Sequence, residues 1–350
     1  MDSMRDVVRK FIALAEVSRL PIAFGAVANV WLMVLLARAE STEAADVSAA
    51  PTATSSVIES LFSTSGASAA LIASLPGWLA LVASAAFAVG FLSFGAALND
   101  ILDAKHDRAF APGRPIPSGS LSTRRALHFA AIALVVGILG TIPFGSIAII
   151  GAAVLAVLVL AYDAFAKHVP AFGIVLAGLA TAASMLALCA DTSSLVPVWL
   201  AMSQTMGVGL AAYILADKRP LLSRRAVALG AIGWVFWSAL LLWIATLRND
   251  GAFVAAWFDR ELLWAPVVAV IACAGFAVWK MRHVRGPHAS EKLLRYGSLW
   301  KALVAAGWLV AAGLHAEAAW IGGVALALAT LFAILREAGP QLATPVSWRS

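Results

Sequence analysis

This sequence predicts an all-α protein, a polytopic membrane bundle of nine to ten helices, and three observations lead there. Of its 350 residues 62% are hydrophobic and only 13% charged, a mean hydropathy of +0.89 that is too apolar for an ordinary soluble domain. Apolar runs recur at about 18–38, 74–98, 126–142, 145–162, 171–190, 195–215, 227–247, 262–281, 298–313 and 318–335. Lys and Arg divide sharply between alternate loops: all but Arg38, Arg248 and Arg260, which is 22 of 25, fall on the side of the N-terminus.

Taken in order, Arg5, Arg9 and Lys10 ahead of the first run imitate a signal peptide. That run is too long and carries Arg19 and Pro21 at its start, so it reads as a retained first span. Residues 40–73 form a linker on the opposite side, rich in Ser, Ala and Thr and without a base, expected to be mobile or an amphipathic surface piece. The second run leads into a polar loop over 99–125. The third run and the last two are short, and the final pair could fold as a re-entrant hairpin, which leaves nine or ten spans. Each span uses about 20 residues, so 1–350 reads as one membrane domain.

The charge pattern predicts N-terminus and polar loops on the cytoplasmic side, in a plasma membrane of bacterial type. The opposite loops hold Glu40, Glu43, Asp46, Glu59, Asp191, Asp250 and Asp259. A net charge of +6 and a pI near 9.7 suggest no nucleic-acid partner, because the bases are scattered singly between apolar runs. Cys189 and Cys273 lie on separate runs with no metal-ligand spacing, which points to packing rather than a disulfide or zinc. The six histidines show no paired ligand spacing either.

Chemistry concentrates in 99–119, NDILDAKHDRAFAPGRPIPSG, directly after an apolar run. On a helix Asp100, Asp103 and Asp107 fall at i, i+3 and i+7, so three carboxylates share one face with Asn99 alongside. Carboxylates so grouped suit Mg²⁺, a hard cation that shares oxygen ligands with substrate phosphates. Arg108 and Arg114 then stand ready for phosphate oxygens. A solvated charged loop at a membrane boundary has much the same composition, and spacing alone does not separate the two.

The continuation Arg114-Pro115-Ile116-Pro117-Ser118-Gly119 sharpens the pattern. Together, N-D-x-x-D-x-x-x-D followed by R-P-x-x-S-G resembles the first signature of the UbiA family of intramembrane prenyltransferases. The resemblance extends to Tyr162 and Lys167, which match in order and spacing the Tyr and Lys that such proteins place after their fourth helix. It implies Lys167 as a phosphate partner and Tyr162 as a wall of the reacting site. Arg19-Leu20-Pro21 is similar to the family's opening segment.

The sequence departs from the family after the sixth run, where a second pair of acids is expected. It reads Tyr213-Ile-Leu-Ala-Asp217-Lys218-Arg219-Pro220-Leu221, with Asp217 alone. Either Lys218 and Arg219 neutralise phosphate in place of a metal, or the site no longer ionises a substrate.

The resemblance implies a UbiA-type bundle with a central cavity, and transfer of an isoprenyl group from an allylic (poly)prenyl diphosphate to a membrane-associated aromatic or lipid acceptor. Mg²⁺ is the implied cofactor, held by Asp100, Asp103 and Asp107. Asn99, Arg108, Arg114, Lys167, Lys218 and Arg219 are the implied diphosphate clamp, and Asp163 or Asp217 the implied proton acceptor. The alternative is a non-catalytic relative that binds or moves a prenyl or lipid precursor. A phosphatidyl-type transferase also uses Mg²⁺ and aspartates, but its D-G-x-x-A-R opening is absent.

Overall fold

The structure, a computed structural model, describes residues 20–47, 67–216, 221–284 and 286–343. The described residues form helices and no strand: α1 Leu20–Val47, α2 Ala67–Ser74, α3 Gly77–Leu102, α4 Ala104–Phe110, α5 Thr123–Leu139 and α6 Gly145–Ala164. They continue with α7 Pro170–Leu186, α8 Leu195–Leu215, α9 Arg224–Arg248, α10 Trp264–Met281, α11 Pro287–Ala311 and α12 His315–Ala343. Over the described residues each predicted apolar run falls mostly on a helix, and the fold is the expected all-α bundle.

Helix ends follow local chemistry. Ser122 and Ser223 cap α5 and α9 by accepting the amides of Arg125 (3.3 Å) and Ala226 (3.1 Å). Prolines open α7 and α11, where a missing N–H is harmless. Between α5 and α6 the chain reverses at Gly140–Gly145, with Gly145 at φ 84°.

Among the described residues six helical stretches are long and apolar enough to cross a membrane: Ala23–Thr42, Gly77–Leu102, Thr123–His168, Leu195–Leu215, Arg224–Arg248 and Arg260–Met281. The third comprises both α5 and α6, since its 46 residues exceed one crossing. Pro170–Leu186 and His315–Leu328 are shorter apolar helices. The outward faces carry Ile132, Val135, Ile150, Val157, Phe236, Trp243, Ile271 and Val278, all exposed. So broad an apolar surface is matched by lipid and not by water.

α1 lies deep in the bundle, with Ala28, Met33, Val34, Leu36 and Ala37 fully buried, and packs on α3, α7 and α11. α5 runs antiparallel along α3, and the two backbones meet where Gly90 faces Gly137. A Cβ at Gly90 would stand 2.6 Å from Gly137 Cα, so only glycine allows the crossing.

Three expectations change. The 40–73 linker is helical at both ends: α1 continues to Val47, and α2 buries Ala69 and Ile72, while 48–66 lie outside the described residues. Arg38 is not a loop residue but sits within α1, donating to the carbonyls of Ile72 (2.7 Å) and Leu75 (2.8 Å). Lys301 is not at a boundary either, because α11 begins at Pro287, well before the apolar run, and places it in the helix interior.

Candidate active site

α3 ends at Leu102 and α4 begins at Ala104, yet the hydrogen-bond ladder carries across. Asp103 N donates to Asn99 O (2.9 Å) and Asp107 N to Asp103 O (2.8 Å), with Asp103 itself helical at φ −82° and ψ −5°. At about 100° per residue, Asn99, Asp103, Asp107 and Asp100 follow one another around the axis within roughly a quarter turn.

Two cations from other parts of the chain divide that face. Lys167 Nζ donates to Asp103 Oδ1 (2.7 Å) and Asn99 Oδ1 (3.1 Å). Arg114 Nη1 donates to Asp107 Oδ2 (2.7 Å) and lies 3.9 Å from Asp100 Oδ1. The result is two adjacent strips, Asn99/Asp103 and Asp100/Asp107, each answered by one base. Asp107 is buried at 5% exposure, whereas the Arg114 side chain is 43% exposed, so the second strip opens at the rim.

Local structure places both bases. Lys167 stands in the 3₁₀ turn Ala166–His168 between α6 and α7. Gly173 lets α7 close on that turn, since a Cβ there would be 2.9 Å from Ala166 O and 3.3 Å from Lys167 Cα. The loop after α4 is held by its own hydrogen bonds: Ser118 N to Arg114 O (2.9 Å), Leu121 N to Pro115 O (2.9 Å) and Ser120 Oγ to Pro115 O (2.9 Å). Gly119 takes φ 76°, which the turn requires. Ile116 and Leu121 anchor the loop in a small core with Ala97, Ala104, Ala126 and Ala130. The R-P-x-x-S-G stretch is therefore a folded cap that delivers Arg114 back to the aspartates.

The structure does not bring Arg108 to the two strips. One residue beyond Asp107, it turns about 100° further round the helix and is exposed, as are Lys105 and His106. Tyr162 and Asp163 occupy the last turn of α6, Tyr162 half-buried and Asp163 at 3% exposure. Tyr213 ends α8, where Gly286 N donates to Leu215 O (3.0 Å) and joins the α10–α11 loop to the same end of the bundle. Asp217, Lys218 and Arg219 lie outside the described residues, as does Arg19. Sequence reading did not foresee the pairing of each aspartate with its base. Only the recurrence of one Lys and one Arg beyond the acids hinted at it.

The donors suit a hard divalent cation: Asp100, Asp103 and Asp107 offer only oxygen, on one face. Among the described residues no group of three or more His, Cys, Asp or Glu side chains converges as a cage. A cation on this face would need substrate phosphates and water to complete its oxygen shell.

Comparison with known proteins places the chain among relatives. The UbiA prenyltransferase family matches residues 60–302, a span that contains 99–119, Tyr162, Lys167 and Tyr213. A digeranylgeranylglyceryl phosphate synthase of Methanococcoides burtonii is 36% identical over 108 residues, 29% of this chain and 36% of that protein's length. A chain solved in work on the biosynthesis of digeranylgeranylglyceryl phosphate synthase in membranes superposes with a TM-score of 0.52 over 87% of this chain and 98% of that one. At 16% identity it shares the fold. The chain belongs to the UbiA prenyltransferase family.

Proposed function

We propose that the protein transfers an isoprenyl group from an allylic diphosphate to a membrane-associated acceptor, with the diphosphate bound over the two aspartate strips. The observation that supports this best is the convergence of Lys167 and Arg114 on Asn99/Asp103 and Asp100/Asp107. Four oxygen-bearing side chains and two bases gathered at a helix end suit a diphosphate and little else in an apolar bundle. The motif end is the cytoplasmic one in this reading.

Asp100, Asp103 and Asp107 would hold Mg²⁺, which when bound supplies positive charge to the diphosphate oxygens. The chain's own part is to place that charge and add to it. As diphosphate arrives, Lys167 and Arg114 exchange a carboxylate partner for phosphate oxygens and stay within reach of both. They stabilise the negative charge that grows as the C–O bond breaks, which is where such groups contribute most. The apolar interior keeps water from the allylic cation, and the ring of Tyr162 stands beside it to favour positive charge. Asp163 or Asp217 receives the acceptor's proton. Lys218 and Arg219 complete the phosphate clamp in place of a second acidic pair. Similarity to a digeranylgeranylglyceryl phosphate synthase supports a lipid over an aromatic acceptor within this reading.

The deciding experiment is diphosphate release by purified protein in detergent from a panel of allylic diphosphates, with candidate acceptors present, beside an Asp100→Ala/Asp103→Ala variant. Release that needs Mg²⁺ and disappears in the variant supports transfer. A second reading, binding or movement of a prenyl or lipid precursor without transfer, draws on the lone Asp217 after the sixth run. Binding of the same diphosphates through the aspartates without release from any of them would favour it.

A further inference from the structure

The end of the bundle remote from the aspartates holds a second concentration of polar side chains, which prenyl transfer leaves unused. It is built on the turn between α7 and α8, Ala190-Asp191-Thr192-Ser193-Ser194. Glu40 of α1 accepts from Ser193 N (3.0 Å) and from Thr192 Oγ1 (3.1 Å), and Ser194 N donates to Thr192 Oγ1 (3.1 Å). Asp191 Oδ2 accepts from Ser68 N (2.9 Å) in the first turn of α2, where the free amides of a helix favour an acid. α1, α2 and the α7–α8 turn thus meet through two carboxylates.

Those bonds leave particular oxygens over. Asp191 Oδ1 and the hydroxyls of Ser68, Ser193 and Ser194 are buried without a hydrogen-bond partner. Asp191 is 8% exposed, Ser68 6% and Ser194 2%. The other such atoms among the described residues belong to Trp199, Ser238, Trp257 and Trp308, outside this turn. The four oxygens, by contrast, belong to one turn and to the residue bonded to it. A buried oxygen without a partner is costly, and four in one place call for a common one.

Charge narrows what that partner is. Among the described residues no base stands within 4.0 Å of Glu40 or Asp191. Arg248, the base bonded to this turn, spends Nη1 on the carbonyls of Ala190 (2.9 Å) and Thr192 (2.8 Å). Arg38 is spent on the carbonyls of Ile72 and Leu75 at the other end of α2. Two carboxylates against one guanidinium leave a single negative charge on the turn, which a monovalent cation cancels and a divalent one overshoots. Water would satisfy the oxygens but not the charge. The donors are oxygen only, one from a carboxylate and three from neutral hydroxyls, which suits a hard cation of low charge.

We propose that the Asp191 turn and Ser68 form a site for a monovalent cation of sodium's size, ligated by Asp191 Oδ1 and the hydroxyls of Ser68, Ser193 and Ser194. The ion fastens α2 and the α7–α8 turn to α1, and it makes the stability of the bundle depend on the salt at that end. Prenyl transfer is not required for this site, which serves equally a protein that only binds its lipid precursor.

The test compares unfolding midpoints of the purified chain in detergent, in sodium chloride and in choline chloride at equal ionic strength. Sodium should raise the midpoint over choline by about 3 °C, and saturably. Asp191→Asn keeps an acceptor for Ser68 N but removes the charge, and should abolish the difference. Ser194→Ala removes only an unpartnered hydroxyl, so it folds whatever Asp191→Asn does, and it should reduce the difference by at least half. Equal midpoints of the parent in the two salts would overturn the proposal and leave water as the partner. A sodium effect that persists in Asp191→Asn would be a general salt effect and would overturn it too. So would a Ser194→Ala midpoint raised equally in both salts, the behaviour of a hydroxyl that is merely unpaired. Calcium is titrated into Asp100→Ala/Asp103→Ala, where the aspartate strips cannot answer. Stabilisation there by calcium and not by sodium would overturn the monovalent assignment.

Discussion

Lys167 Nζ stands 2.7 Å from Asp103 Oδ1 and 3.1 Å from Asn99 Oδ1, a contact between residues 64 and 68 positions apart in the chain. It joins the end of α6 to the end of α3. A base so placed can hold a carboxylate in the empty site and a phosphate oxygen in the loaded one without leaving its turn. Lys167→Met should therefore lower kcat/KM for diphosphate release by about 10²–10³-fold. Lys167→Arg should fall between that variant and the parent. Unchanged rates in Lys167→Met would remove it from the clamp.

Arg114 and Asp107 should be energetically coupled. The carboxylate is buried and its partner half-exposed, so removing the base strands a charge with little water to replace it. A double-mutant cycle of Arg114→Ala and Asp107→Ala, followed by thermal unfolding in detergent, should give a coupling of about 1–3 kcal/mol. Simple additivity would mean the pair contributes nothing to the folded loop.

Backbone contact between α3 and α5 makes a third prediction. Gly90→Ala must push the helices apart, because the obstacle at Gly137 is backbone and cannot rotate away. A loss of about 1–3 kcal/mol is expected, seen as a lower unfolding midpoint. Gly230→Ala in α9, where a Cβ meets nothing within 4 Å, should instead gain up to about 1 kcal/mol from helix propensity. Equal behaviour of the two would contradict the close crossing.

The end remote from the aspartates is tied by a separate polar lock. Arg248 Nη1 donates to Ala190 O (2.9 Å) and Thr192 O (2.8 Å), Asn249 Nδ2 donates to Ser193 O (3.0 Å), and Glu40 accepts from Ser193 N (3.0 Å). These bonds secure the α7–α8 loop against α1 and α9. Arg248→Met should lower stability by about 2 kcal/mol, the worth of charge-assisted hydrogen bonds to the backbone. Below its unfolding temperature the variant should still bind allylic diphosphate as the parent does, since the site lies at the other end. Weakened binding in the folded variant would show the two ends to be linked.

How far the sequence could be read differs by feature. The helices were legible because lipid demands apolar runs whose backbone polar groups are satisfied internally, and that demand is written locally. The shared face of Asp100, Asp103 and Asp107 was legible for the same reason, as helical pitch needs no tertiary information. Arg108 shows the limit. It is as near to the acids in sequence as any base, yet pitch turns it to the outside.

Lys301 shows a different limit. As one of a row of bases near the start of an apolar run it reads as a boundary charge, and only the early start of α11 at Pro287 moves it inside the bundle. The helical ends of the 40–73 linker were equally hidden, because α2 is too short to signal itself and owes its place to burial of Ala69 and Ile72.

By itself, then, the sequence determined the class of fold, the positions of the helices and the identity of the acidic face, all properties of short stretches in a uniform apolar solvent. Only the tertiary structure decided which base answers which aspartate, how Gly90 and Gly137 bring α3 and α5 together, and that Thr181 of α7 meets Thr205 of α8. Those contacts join residues far apart in the chain, and their formation depends on packing between helices whose lateral order no local pattern encodes.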